Sequence, residues 1–381
     1  MKKGYFCFIF CVVVCFFGCN LSVAQVLESG PSDPDLFNNV INIPDAPDIG
    51  DDEMIFSQIV IGAPIDLSQI NLGTGGSVGD DFFAGAGTEV NIDGGNVGSR
   101  FETSGSSFSV SEVNISQGSI GSNFTASNNS LVNISGGTVG ENSNAGFNSV
   151  VNVSGGSVGA GFAALGFSQV NVSDGTIGDG LFIASSGAQV NVSGGSVGNG
   201  AIVNVGSNLN VSGGSVGNDL TLSGGNLSVS GGSVGDGLSV SFATSLDVTG
   251  GSIGDNVELA GLFNLSGGEV GNFFSAQRGS EVNIFGTEFR NNGVLIDLLE
   301  GEDQLISFRD FTLSGVLADG TDFSFDVNSL SSSPTDFFDS DATINIFRVA
   351  STVPEPGSAL LIAVSLSVGF LRRSRSALVV G

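Results

Sequence analysis

The residues best placed to do chemistry recur along the chain and do not cluster. Asparagine returns at Asn91, Asn114, Asn133, Asn152, Asn171, Asn191, Asn210, Asn264 and Asn283, with Ser228 and Asp247 standing in after Asn210, and most copies read Asn-x-Ser. Such a column could be glycosylated or could form a polar binding stripe. Stacked in register, the same amides would hydrogen-bond to one another and brace the backbone, as they do in cross-β stacks. The structural role is the expectation.

A second column supplies carboxylates and amides: Asp80, Glu141, Asp179, Asn199, Asn218, Asp236, Asp255 and Asn272, interrupted by Ser99, Ser122 and Ala160. Hard oxygen donors of this kind suit calcium, although Asp and Asn are equally at home in turns. The phrases, such as Gly232-Ser233-Val234-Gly235-Asp236, depart from the Gly-Gly-x-Gly-x-Asp spacing of calcium-binding nonapeptide repeats. No cofactor is therefore expected, with calcium the one candidate. Two carboxylates at about 5.5 Å or about 6.5–9.5 Å could run glycoside hydrolysis, but the acids are scattered and no pair stands out.

The residue types that are missing restrict the chemistry further. Beyond residue 24 the chain has no His, Cys, Lys, Tyr or Trp. The commonest general base, the thiolate nucleophile, the Schiff-base amine and the usual transition-metal ligands go with them. A non-catalytic protein is expected, with a polysaccharide-binding or polysaccharide-degrading protein that uses paired carboxylates as the alternative. The net charge is −28, and Arg100, Arg278, Arg290, Arg309 and Arg348 are the only cations between the two ends. So acidic a surface repels phosphate backbones, and nucleic acid is not an expected partner.

The elements that must hold these columns are repeats. From Val90 onward a phrase of apolar residue, Asn, apolar residue, Ser, Gly-Gly, spacer, Val or Ile and Gly returns with steps of 23, 19, 19, 19, 20, 19, 18, 19, 17 and 19 residues, measured at the Asn position. Ile70-Asn71-Leu72 opens the series more weakly. Inside each phrase apolar and polar residues alternate, the mark of a strand with one buried face. The Gly-Gly pair marks a bend. Three short strands and three corners fill about 19 residues, and no stretch shows helical periodicity. The expected fold is all-β: a right-handed parallel β-helix, or solenoid, of coils spaced about 4.8 Å apart. Variable steps argue against the strict hexapeptide rhythm of left-handed helices. Phe101, Phe108, Phe124, Phe147, Phe162, Phe167 and Phe182 are expected to stack inward. An outward sugar-gripping stripe would more commonly use Trp or Tyr.

The domain plan is a signal peptide (1–24), an N-terminal cap or linker (25–60), the solenoid (61–285), a small C-terminal β module that caps it (286–351) and a terminal tail (352–381). The first segment joins a basic start, Lys2-Lys3, to an apolar run holding all four cysteines and to Ser22-Val23-Ala24 before Gln25. Acylation at Cys19 is the competing reading of that segment. The tail orders Val353-Pro354-Glu355-Pro356-Gly357, an apolar run from Ala359 to Leu371, and the basic cluster Arg372, Arg373 and Arg375. This order resembles the PEP-CTERM sorting signal. The resemblance implies recognition of Pro354, Glu355 and Pro356 by an exosortase-type membrane protease. It also implies transient membrane insertion of the tail, a basic stop at Arg372, Arg373 and Arg375, and delivery of an exported protein to the bacterial cell envelope or extracellular matrix. An extracellular polysaccharide is the second expected partner. A plain C-terminal membrane anchor is the other reading of the same tail.

Overall fold

The computed structural model describes residues 39–43, 60–61, 67–184, 186–331 and 335–350. The two segments expected to act as signals, 1–24 and 352–381, lie outside the described residues. Within them the chain is all-β, without a helix, and so no helix there is long and apolar enough to cross a membrane.

Each coil lays one long strand on a first sheet and one short strand on a second. Val150–Val158 is such a long strand, and Ala163–Ala164 the short strand that follows it. Neighbouring coils pair in parallel, Asn for Asn and Val for Val, as in Val151↔Val170 and Asn152↔Asn171. The Gly-Gly bend is carried as an irregularity in this pairing, or breaks the strand in two, as between Gln189–Val192 and Ser196–Val197. The three expected strands per coil are therefore present, the first two often fused. The second sheet runs through 13 short strands.

Burial follows the period-two alternation. Val151, Val153 and Val158 point inward and are at most 2% exposed, while Asn152 between them faces out and is half-buried. Inside the second sheet, large and small residues compensate within a coil: Phe124 sits two residues before Ala126 and Phe162 before Ala164, whereas Leu181 pairs with Ile183 and Leu220 with Leu222. Conserving volume coil by coil keeps the interior close-packed. The rings of Phe82, Phe101 and Phe124 stack at 4.7 and 5.0 Å between centroids.

Inward stacking fails for Phe108, Phe147, Phe167 and Phe182, which are 101%, 53%, 60% and 41% exposed. The reason is phase. Phe182 lies one residue beyond the inward Leu181, and the other three lie in corners.

Glycine closes each phrase because the coils approach too closely for a side chain. A Cβ on Gly140 would stand 2.6 Å from both Gly121 C and Ser122 N of the coil below. That contact is with backbone and cannot be relieved by turning a rotamer.

The solenoid pairing reaches beyond 61–285. Asn39–Ile43 pairs in parallel with the strand Leu67–Gly73, placing Asn42 beside Asn71. At the other end Thr343–Arg348 pairs in parallel with Glu281–Asn291, placing Asn345 beside Asn283. Between those two strands the chain inserts an antiparallel hairpin, Phe311–Leu317 with Asp322–Val327. It also inserts the short strand Asp303–Leu305, which covers the free edge of the last coil by antiparallel pairing. Covering that edge removes a row of open backbone groups.

Candidate functional site

The asparagine column forms a one-way chain of amide hydrogen bonds. Nδ2 of Asn91 donates to Oδ1 of Asn71 at 2.9 Å, and Asn114, Asn133, Asn152, Asn171, Asn191 and Asn210 each donate in turn to the preceding coil at 2.8–3.0 Å. Ser228 interrupts the run. It resumes at Asp247, whose Oδ1 accepts from Asn264 at 2.6 Å, and continues through Asn283 to Asn345 at 3.0 and 2.9 Å. Sequence reasoning missed Asn345, and also the backbone pairing of Asn42 with Asn71. The triplets Ile41-Asn42-Ile43 and Ile344-Asn345-Ile346 carry the signal but lack the Gly-Gly phrase behind them.

The second column is turned to the neighbouring coil in the same way. Oδ1 of Asp80 accepts the N–H of Ser99 at 2.8 Å. From Asp179 through Asn199, Asn218, Asp236 and Asp255 to Asn272, each side-chain oxygen accepts the N–H of the equivalent residue one coil on, at 2.7–3.0 Å. Beside it the next residue adopts a left-handed conformation, with φ of 60° at Asp81, 62° at Asn123 and 73° at Gly180, and donates its own N–H to that coil's carbonyl. Asp, Asn and Gly dominate the corner because they tolerate this conformation. Glu141 makes no such bond. Among the described residues no three His, Cys, Asp or Glu side chains converge as a metal site.

The five arginines are each engaged. Arg100 pairs with Asp81 at 2.6 Å and with Asp80 at 3.3 Å, which holds Asp81 below the usual carboxylate pKa. Arg278 meets Asp341 at 2.9 Å and Arg290 meets Glu288 at 2.6 Å. Arg309 is different: it donates to the carbonyls of Ile306, Phe308, Phe338, Asp339 and Ala342, and burial lowers its pKa against the pull of Asp339. It acts as a clamp between the inserted module and the last coil. Arg348 donates to the carbonyl of Leu298.

Two carboxylates lock the hairpin to the stack. Asp336, 9% exposed, accepts N–H groups from Phe274 at 2.9 Å and Asp326 at 3.0 Å, and burial raises its pKa. At the hairpin tip, Asp319 accepts from Gly268 N–H and from the N–H and hydroxyl of Thr321. Burial works against its charge, but these bonds outweigh it and hold the pKa below the ordinary value. The open depression of about 490 Å³ beside the module is lined by Asn291, Asn292, Gln304 and apolar side chains, with no carboxylate.

The remaining corner is variable. From each ladder position between Asn91 and Asn264 to the inward residue of the second sheet is 12 residues, as from Asn91 to Thr103, Asn152 to Ala164 and Asn264 to Ala276. From that inward residue to the next ladder position the count runs from 5, Leu259 to Asn264, to 11, Thr103 to Asn114. All the irregularity in the steps from Asn91 onward is thus absorbed at one corner. It is usually a turn closed from residue four to residue one: Ser149 N–H and hydroxyl both donate to Gly146 O, and Ser207 does the same to Asn204 O. The closing Ser or Thr is buried and the residues before it are exposed or half-buried, which is where the exposed Phe147, Phe167, Val205 and Phe242 stand. No family model, curated protein or solved structure matches the chain.

Proposed function

We propose that this is an exported, non-catalytic structural or adhesion protein of the bacterial cell surface or extracellular matrix, sorted through a PEP-CTERM signal. The observation that carries the reading is the order of the tail: Pro354-Glu355-Pro356, an apolar run, then Arg372, Arg373 and Arg375, in a chain that also begins with a signal-peptide pattern. An exosortase-type membrane protease is the partner this implies. Two structural facts support a role without chemistry. The oxygens of both polar columns are largely spent on the next coil, and the open depression beside the inserted module is lined by amides and apolar side chains.

Intact-mass measurement of the protein from culture medium and from envelope fractions tests the reading. A species running from Gln25 to near Val353 is the expected result. A mass that retains Arg372 to Gly381, found only in membranes, overturns the sorting signal in favour of a plain anchor.

A further inference from the structure

One long face of this acidic protein carries no charge. In seven successive coils, the second sheet and the variable corner after it comprise residues 124–130, 143–150, 162–169, 181–190, 201–208, 220–227 and 238–246, and none is Asp, Glu, Lys or Arg. The outward column of that sheet runs Thr125, Asn144, Ala163, Phe182, Ile202, Thr221 and Ser239 in register, bounded by Glu102 at one end and Glu258 at the other. Beside it stand the exposed Phe147, Phe167, Val205 and Phe242.

The aromatic at position 167 is held at a cost. Its φ is 55°, a conformation that equivalent turns reach with Gly87, Gly206 and Gly279. Asn148 and Ala243 reach it in other turns, and a bulky side chain there is held under local strain. The rings also lie down on the stack: Phe147 Cδ2 is 3.4 Å from where a Cβ of Gly166 would be, and Phe167 Cδ1 is 2.8 Å from that of Gly187. They form a low ridge that another surface can approach.

We infer that this strip binds a second copy of the chain, face to face. Two molecules of net charge −28 repel each other, and this strip stays free of acids through seven successive coils, whereas Asp174 interrupts the first sheet and Glu141, Asp179, Asp219 and Asp236 line the corner before the second. A second copy also brings the same coil spacing, about 4.8 Å, so ridges and gaps repeat at one period on both sides. Seven coils by about four residues give a strip of roughly 30 by 13 Å, on the order of 400 Å² per copy. That is about half of the ~800 Å² per partner of a standard stable interface. Pairs are therefore weak in dilute solution and become strong when many copies are held side by side on one surface.

Sedimentation velocity on the purified full chain, from about 10 μM to about 1 mM, a range chosen to catch weak association, tests this. The expected result is an average mass that rises toward twice the monomer and rises further in high salt, where acidic repulsion is screened. Val205→Asp and Phe167→Gly should each weaken the association at least tenfold with unchanged far-ultraviolet circular dichroism. Ser157→Asp, which adds the same charge on the first sheet, should leave it intact. A chain that stays monomeric throughout, or variants that associate equally well, overturn the inference. So does a monomer whose retention on a neutral polysaccharide column is lost in Val205→Asp, which would assign the strip to sugar. The comparison of the variants with the parent chain does not depend on how the tail is processed.

Discussion

The break in the amide ladder makes a prediction that only its direction of bonding explains. Asn210 turns its Oδ1 toward the coil of Ser228, because every asparagine before it donates backward and accepts forward. Asp247 has no amide to send back, and its second oxygen is engaged by the Ser245 hydroxyl at 2.9 Å. Ser228→Asn alone gains a bond to Asn210 but sets its new carbonyl against the Asp247 carboxylate. Asp247→Asn alone gives up the short charge-assisted bond from Asn264, and its freed amide finds only the short Ser228 side chain. Together they complete an unbroken ladder from Asn71 to Asn345. Net hydrogen bonds contribute about 1 kcal/mol each, so the single changes should be neutral to destabilising by about 1 kcal/mol. The pair should be stabilising, with a coupling energy of about 1.5–2 kcal/mol. Urea denaturation followed by circular dichroism reads this, with coincident transitions by a second probe checked first because long stacks can lose cooperativity. Additivity within about 0.4 kcal/mol would refute the reasoning.

Three further outcomes follow from particular contacts. Gly140→Ala should destabilise by more than about 3 kcal/mol or prevent folding, since the new methyl meets backbone at 2.6 Å; urea midpoints compare it with the parent chain. Phe124→Ala should cost about 3–5 kcal/mol, whereas Phe108→Ala, fully exposed, should stay within about 0.5 kcal/mol. Asp319 has a folded pKa below its unfolded value of 3.8, so its stabilisation is present above that pH and is lost as pH falls through the folded pKa. Asp319→Asn should therefore lower stability at pH 6 and narrow the gap to the parent as pH drops below about 4, measured by urea midpoints across that range.

The fold was legible because the repeat states it many times. Alternation in Val151-Asn152-Val153 gives the strand and its faces, Gly155-Gly156 the bend, and the constant spacing the register. What stayed hidden depends on phase or on distant partners. Phe162 and Phe182 look alike in the sequence, yet one is buried and the other exposed, because each strand of the second sheet is only two or three residues long and a single-residue offset reverses it. The β character of the C-terminal segment was legible, but Arg309 reaching five carbonyls is a product of tertiary geometry. Nothing in the residues around it announces a partner in the last coil. Asn345 belongs to the ladder although 62 residues separate it from Asn283, since the inserted hairpin lies between two coils that touch.

The distribution of irregularity is itself an argument about what the molecule is selected to keep. Twelve residues per coil, from the ladder position to the second sheet, hold fixed length through ten successive coils from Asn91 to Ala276. They carry both hydrogen-bonded columns and the glycines that admit no side chain. An insertion there has to be taken up at the Gly bend, as in the first coil, where 13 residues separate Asn71 from Ala84 and the extra one is absorbed at Gly73 while Asn71↔Asn91 and Val78↔Val97 keep register. The corner after the second sheet bears no such column, so it absorbs a loss of two residues near Gly261 and a gain of four near Phe108 relative to the common seven, without disturbing Val90↔Val113 or Leu246↔Phe263. Freedom to vary and exposure of apolar side chains therefore coincide at one edge, for a mechanical reason: it is the edge where the stack makes the fewest demands. A surface can be changed there without re-solving the fold, and the uncharged strip occupies that edge together with the sheet beside it.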